Sequence, residues 1–350
     1  MPNEQENIDE QIIRDWVEMK KLQHPGYWTQ MKDKLQIAIR RKHKIRIVKY
    51  AAIFMLPVLA CGLYLLLDNP HHTPPRTEQT LAKILPGDKK AILYTSDGSS
   101  LVLSEDTLSL TEINGTRILS AKDEGIVYTP QTTSNTIEIY NTLVVPLKGE
   151  YNITLCDGTQ VWLNSSSSLK YPVIFSDSVR EVHLEGEAFF IVTENKEKPF
   201  IVTTKDYSVK VLGTAFNVMD YNDDNYSHTT LAKGKIEILH GDKRQILIPG
   251  EQAVLKDGKI SIKKVDPHYY TTWMNDRFYF DSECLENIMK KLSRWYDVQV
   301  TFKDEAAKQY HFEGSVPKYS SIKEICNIIE LTTHVRFELE KNNIIVKLKE

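Results

Sequence analysis

Cysteine is scarce: four occur in 350 residues, Cys61, Cys156, Cys284 and Cys326, and no two stand in CxxC spacing. That excludes a disulfide framework and argues against a structural zinc site. Cys61 lies in an apolar run and the other three are flanked by strand- or helix-like sequence, so buried, unpaired thiols are expected. Signatures of catalysis are missing too. None of the ten histidines shows HxH or HExxH spacing, and neither a GxSxG elbow nor a P-loop occurs. Asn164–Pro172, "NSSSSLKYP", offers hydroxyls without a nearby histidine and reads as a polar turn. Glu185-Gly186-Glu187 pairs two acids and reads as a strand edge. Turnover of an external substrate is not expected, and no cofactor or metal is implied. A formal charge of −3 gives no reason to expect nucleic-acid binding along the whole chain. With 41% apolar and 26% charged residues the composition is globular, and the length allows two or three domains.

Long apolar runs are also rare, which gives weight to the one at 50–67, "YAAIFMLPVLACGLYLLL". It meets the lower length for a helix crossing a membrane, and Pro57 and Gly62 are compatible with that. Six Lys/Arg precede it between Arg40 and Lys49, and one arginine lies in the "DNPHHTPPRTE" that follows. The positive-inside rule then leaves 1–49 in the cytoplasm and everything after Asp68 outside that membrane. A cleaved signal peptide would need a much shorter n-region. "VLAC", Val58–Cys61, is a poor lipoprotein box because apolar residues continue beyond the cysteine.

The head, 1–49, holds 11 Lys/Arg against 7 Asp/Glu and no catalytic motif. Ile8, Ile12, Trp16 and Met19 recur at helical spacing, and after His24-Pro25-Gly26 so do Trp28, Met31, Leu35 and Ala38 or Ile39. Two amphipathic helices of this size bury too little surface to be stable alone. Their stripes either pack on each other, Trp16 against Trp28, or wait for a partner that they fold onto. The partner is the favoured reading, with Ile12, Trp16, Met19, Trp28, Met31 and Leu35 as its contacts.

Residues 68–80 are polar and Pro-rich, a linker. From 81 to 265 short alternating runs are separated by turn signals, which predicts a mainly β domain, a sandwich or jelly roll. Three stretches rhyme: "LPGDKKAILYTSDGSSLVL" from Leu85, "VPLKGEYNITLCDGTQVWL" from Val145 and "IPGEQAVLKDGKI" from Ile248. Each reads as a hairpin turning at Asp-Gly, a pair suited to positive φ. In "VKVLGTAFNVMDY", Gly213-Thr214 interrupts a strand-like run. Residues 266–350 change to an α+β pattern with two strand-helix-strand halves. "RFYF", a helix through "DSECLENIMKKLSRWYDV" and "QVTF" make the first half. "QYHFEG", a helix through "SSIKEICNIIELTTH" and a hairpin turning at Asn342-Asn343 make the second.

"VPLKGEYNITLCDGTQVWLNSSSSLKYPVIF", "REVHLEGEAFFIV", "KPFIVTTKDYSVKVLGTAFNV" and "TTLAKGKIEIL" resemble, in order, the core of the FecR family of transmembrane anti-sigma factors. "YTTWMNDRFYFDSECLENIMKKLSRWYDVQVTF" with "YHFEGSVPKYSSIKEICNIIELTTHVRFEL" is similar to the C-terminal domain that follows FecR in Bacteroides-type bacteria, itself like the secretin/TonB short N-terminal domain. The resemblance implies a periplasmic, jelly-roll-like β-sandwich and an inner-membrane, single-pass topology. It also implies two partners: an extracytoplasmic-function (ECF) sigma factor at the head, and the signalling domain of an outer-membrane TonB-dependent receptor outside. Such a protein relays a signal to transcription of nutrient-uptake genes without touching nucleic acid itself. The alternative is a membrane-anchored periplasmic binding or scaffold protein. Two departures stand out. The family's frequent glycine after the tryptophan is absent, since Trp273 is followed by Met274, Asn275, Asp276, Arg277 and Phe278; Asn and Asp also tolerate turn geometry. The head has no clear match to better-studied FecR heads, so its sigma contact follows from position. For Gly213-Thr214 the resemblance adds a second reading to a bulge. In that reading Thr214 Oγ attacks the Gly213 carbonyl, and the resulting ester hydrolyses.

Overall fold

Strands dominate the described residues, which in this computed structural model are 84–103, 108–111, 116–121, 125–129, 139–274 and 276–349. The chain first forms β1 (Asp88–Lys89), β2 (Ala91–Tyr94), β3 (Ser100–Leu103), β4 (Leu108–Thr111), β5 (Arg117–Ala121) and β6 (Gly125–Thr129). There follow β7 (Tyr140–Val145), β8 (Gly149–Thr154), β9 (Gln160–Leu163), β10 (Ser167–Pro172), β11 (Arg180–Ile191), β12 (Phe200–Thr203) and β13 (Ser208–Val211). β14 (Ala215–Asp220), β15 (Tyr226–Lys233), β16 (Ile236–His240), β17 (Lys243–Leu247), β18 (Glu251–Lys256) and β19 (Lys259–Lys264) complete the β region. A short helix α1 (His268–Thr271) leads into β20 (Arg277–Cys284), α2 (Leu285–Tyr296), β21 (Gln299–Phe302), β22 (His311–Pro317), α3 (Ile322–Thr332), β23 (Val335–Glu340) and β24 (Asn343–Leu348).

All three rhyming stretches fold as hairpins, β2–β3, β8–β9 and β18–β19. Only the last turns on two residues with positive φ, Asp257 at 50° and Gly258 at 68°. The other two are longer loops in which the aspartate works through its side chain. Asp97 accepts from the Thr95 hydroxyl at 2.6 Å and the Ser99 amide at 2.9 Å. Asp157 accepts from the Thr159 hydroxyl at 2.7 Å and its amide at 3.0 Å. Both are Asx-type turns.

Successive hairpins alternate between two sheets. One runs β3-β2-β7-β10-β11-β12-β13-β16-β17, the other β4-β5-β6-β8-β9-β11-β14-β15-β18-β19. A single apolar core lies between them, with Leu143, Val182 and Val209 from the first sheet and Val161, Phe190 and Phe216 from the second. The sandwich expectation therefore holds, but its connectivity departs from a jelly roll. From β12 onward each pair of strands adds to the growing edge of its sheet, where a Greek key would bring a fourth strand back beside the first of three hairpin-linked ones: β12–β13 is followed across its own sheet by β16–β17, and β14–β15 by β18–β19. β11 belongs to both sheets. Arg180–Glu185 pairs with β10 and β12, Gly186–Ile191 with β9 and β14. Gly186 makes the switch at φ 100°, where a Cβ would also lie 2.7 Å from Ser167 Cα, so only glycine fits.

The C-terminal module has its own core, which includes Ile288, Leu292, Trp295, Ile325, Ile329 and Val346. α2 and α3 cover a β20–β22 pair and a three-stranded sheet in the order β21-β24-β23. Two expected boundaries move. Asp281–Cys284 extends β20 instead of starting the helix: the register shifts past Phe280, and Glu283 and Cys284 pair with Phe312 and His311 of β22. The last hairpin turns at Lys341-Asn342, with Lys341 at φ 54°, one residue before the expected Asn342-Asn343. Asp276, at φ 56°, takes a left-handed turn position in the segment where the resemblance led to the expectation of a glycine. Among the described residues no helix is long and apolar enough to cross a membrane. The expected span at 50–67, the linker and both head helices lie outside them.

Candidate functional site

The strand switch at Gly186 exposes an unusual surface to the C-terminal module. Side chains alternate along a strand, so while Ala188 and Phe190 fill the sandwich core, Glu187 faces away from it. Glu187 is nonetheless 7% exposed. Its carboxylate accepts from Asn217 Nδ2 and Asn164 Nδ2, each at 2.9 Å. Asn217 Oδ1 in turn accepts from the Trp273 indole N–H at 3.2 Å. Gln252 donates to Thr230 Oγ1 at 2.7 Å on the neighbouring strands. His228 shares this buried polar face, its ring edge-on to Tyr270 at 5.4 Å. Burial pushes its pKa down to about 3, and the charges of Lys291 and Lys263 add to that, so the imidazole is neutral at neutral pH. Its Nδ1 is buried without a hydrogen-bond partner. Glu187, His228, Tyr270, Trp273, Lys291 and Arg294 line a narrow cleft here.

Around this cleft, cations of the α+β module meet anions of the sandwich. Lys318, fully buried, forms an ion pair with Glu150 and donates to the Trp273 carbonyl at 3.2 Å. Its ammonium lies 4.0 Å from the Trp295 ring centre and 5.4 Å from that of Trp273. Burial pulls the Lys318 pKa down, against the upward pull of Glu150. Arg294 bonds Asp223 at 2.8 Å and Asp224 at 3.0 Å, with its guanidinium 3.7 Å from the Tyr221 ring centre. Lys290 adds a 2.9 Å pair to Asp224. Buried pairs of this kind specify how two surfaces dock more than they stabilise the docking, because desolvation offsets much of their attraction.

Sequence reasoning placed Glu185-Gly186-Glu187 at a strand edge; instead Glu187 is in mid-strand between β9 and β14, at the centre of the junction. Of the polar turn expected over Asn164–Pro172, only 164–166 turns, with Ser166 at φ 59° and Ser165 donating to the Gly149 carbonyl at 2.6 Å; Ser167–Pro172 is instead strand β10, between β7 and β11. Cys326 is buried, whereas Cys156 and Cys284 are half-buried, and all three are free thiols. Gly213-Thr214 is the corner at which the chain leaves β13 in one sheet for β14 in the other. Gly213 does not have positive φ; a Cβ there would lie 2.7 Å from Glu194 Cα, so close approach explains the glycine. Thr214 donates through its hydroxyl to the Lys235 carbonyl at 3.1 Å. The bulge lies one step on, where the β14–β15 register shifts between Ala215 and Phe216. The head residues Ile12, Trp16, Met19, Trp28, Met31 and Leu35 lie outside the described residues. Among the described residues no group of three or more His, Cys, Asp or Glu could hold a metal ion. Lys318 and Arg294 escaped sequence reasoning because nothing local distinguishes them from solvated lysines and arginines. Asn217 did leave a signal, as a lone amide in the apolar run "AFNVM".

Comparisons with known proteins agree with this architecture. The family described as "FecR protein" matches residues 141–237, which lie in the sandwich, and "FecR, C-terminal" matches 277–346, which is the α+β module. No curated protein matches the chain significantly. Two crystal structures, at 1.65 and 2.50 Å resolution, of a Parabacteroides distasonis protein assigned as an anti-sigma factor are similar to it. Each is 30% identical with a TM-score of 0.57 and covers 60% of this chain, which in turn covers 99% and 100% of theirs. The chain belongs to the FecR family of anti-sigma factors.

Proposed function

We propose that the chain is a single-pass regulator of an ECF sigma factor, with 1–49 as its cytoplasmic head, 50–67 as its span and 68–80 as its linker. The sandwich, 81–265, and the α+β module, 266–350, then stand in the periplasm, where the signalling domain of an outer-membrane TonB-dependent receptor meets them. The observation that carries this reading is charge: six Lys/Arg crowd the N-terminal flank of an apolar 50–67, in a family that binds sigma factors. Ile12, Trp16, Met19, Trp28, Met31 and Leu35 form the sigma-binding stripe, because two short helices need a partner to bury it. Gly213-Thr214 serves as a corner between sheets rather than as a scissile bond.

Affinity capture through an N-terminal tag, read by mass spectrometry, tests the assignment. A sigma factor in the eluate is expected, and it disappears when Ile12, Trp16, Trp28 and Leu35 are replaced by serine. Absence of any sigma factor, in both uninduced and nutrient-replete cells, would instead favour an anchored periplasmic binding protein. The mass of the bait reads the corner as well: an intact chain supports the structural role, and a fragment ending at Gly213 overturns it.

A further inference from the structure

Lys148–Glu150 joins three parts of the chain. Toward the N-terminus, the Asp88 amide donates to the Lys148 carbonyl at 3.0 Å and the Lys90 amide to the Glu150 carbonyl at 3.1 Å. These accompany the two-residue parallel pairing of β1 on β8. From the α+β module, the Arg294 carbonyl accepts the Lys148 amide at 2.9 Å, and Glu150 takes both the Lys318 ammonium and the Tyr319 hydroxyl, the latter at 2.7 Å. The hub has no slack. Lys148 is at φ 57°, and a Cβ on Gly149 would come within 3.0 Å of the Lys90 carbonyl oxygen.

The same module also touches the N-terminal segment directly. Ile84 packs against the module's apolar core. Gly87 lies flat on Trp295, where a Cβ would be 2.6 Å from the indole ring. Trp295 is fixed in turn by donating to the Lys318 carbonyl at 2.8 Å. Hydrogen bonds contribute only about 1 kcal/mol each, so a two-residue pairing is a weak anchor by itself.

We propose that the α+β module is a latch on residues 84–90: docked, it grips the segment against the sandwich, and undocked, it releases it. This rests on the topology proposed above, in which that segment is the first folded piece after the linker from the membrane. Release would then change the reach of the chain toward the membrane without any change within the sandwich. Lys318 makes the latch two-state. Among the described residues the one carboxylate in ion-pair contact with it is Glu150, across the junction, so partial opening leaves an ammonium among aromatic rings without that counter-charge, while full opening wets it.

Hydrogen exchange on the full chain in detergent micelles tests this. Glu150→Ala should raise exchange at the Asp88 and Lys90 amides at least about tenfold, with β11 and α3 unchanged. Gly87→Leu, which pushes on Trp295, should do the same. Adding Lys318→Met to Glu150→Ala replaces the pair with an apolar contact and should restore protection. Unchanged exchange at Asp88 and Lys90 in both single variants overturns the latch. So does loss of protection that extends equally into β11, or that the double variant fails to restore. Exchange is read without any sigma factor, so this result is separable from the capture experiment: a working latch with no captured sigma factor sinks the regulator and keeps the latch.

Discussion

Glu187 is the acceptor around which the polar face of the junction is arranged. Two amides donate to it, and one of those amides orients Trp273. Glu187→Leu would keep the bulk but strand both donors in a buried setting, at a cost of about 3 kcal/mol. A urea titration followed by tryptophan fluorescence should show that loss, whereas Asn164→Ala, which leaves Asn217 in place, should lose about 1 kcal/mol. An unchanged midpoint in Glu187→Leu would mean that water satisfies the amides. Sequence gave no warning of this role. An acid beside a glycine in "LEGEAFF" has the local character of a solvated edge, and only the change of sheet at Gly186 turns the outward face into a buried one.

At the scale of elements, what was legible was what is local. Apolar alternation and Asp-Gly pairs marked all three hairpins, although Asp97 and Asp157 act through carboxylates rather than through positive φ. Helical spacing located α2 and α3, but Asp281–Cys284 looked like an acidic helix start because its strand partner, β22, is distant in sequence. The path of the chain between sheets was illegible for the same reason: hairpins look alike whichever sheet receives them. α3 shows how much a local signal can carry. Ser321 Oγ accepts the Glu324 amide at 3.3 Å, and the Glu324 carboxylate accepts the Ser321 amide at 3.1 Å, a reciprocal capping box. Ser321→Ala should lower stability by about 1 kcal/mol, read as a fall in Tm, and Ser321→Asp should restore most of it.

At the scale of the whole folded body, the junction between the sandwich and the α+β module takes charge out of water, which gives stability a pH signature. The Lys318 pKa is below its ordinary 10.5 in the folded chain, burial outweighing the pull of Glu150. Between the lowered value and 10.5 the unfolded chain binds more protons at this site, so Lys318 makes the protein more stable as pH rises through that window. Lys318→Met should flatten that part of the profile of Tm against pH. A slope unchanged by the substitution would assign the dependence to other groups.

The alternating path of the hairpins also sets an order of assembly. Each pair of strands from β12 onward lays down on strands already made, so the sandwich can grow by accretion as the chain is delivered from its N-terminal end. Residues 84–90 cannot be finished that way. Trp295, on which Gly87 lies, and Lys318, which holds the Glu150 that Lys90 bonds, are synthesised some two hundred positions later. The first piece of the folded body to emerge is thus the last to be closed, and a chain truncated before the α+β module would build its walls yet never fasten its door.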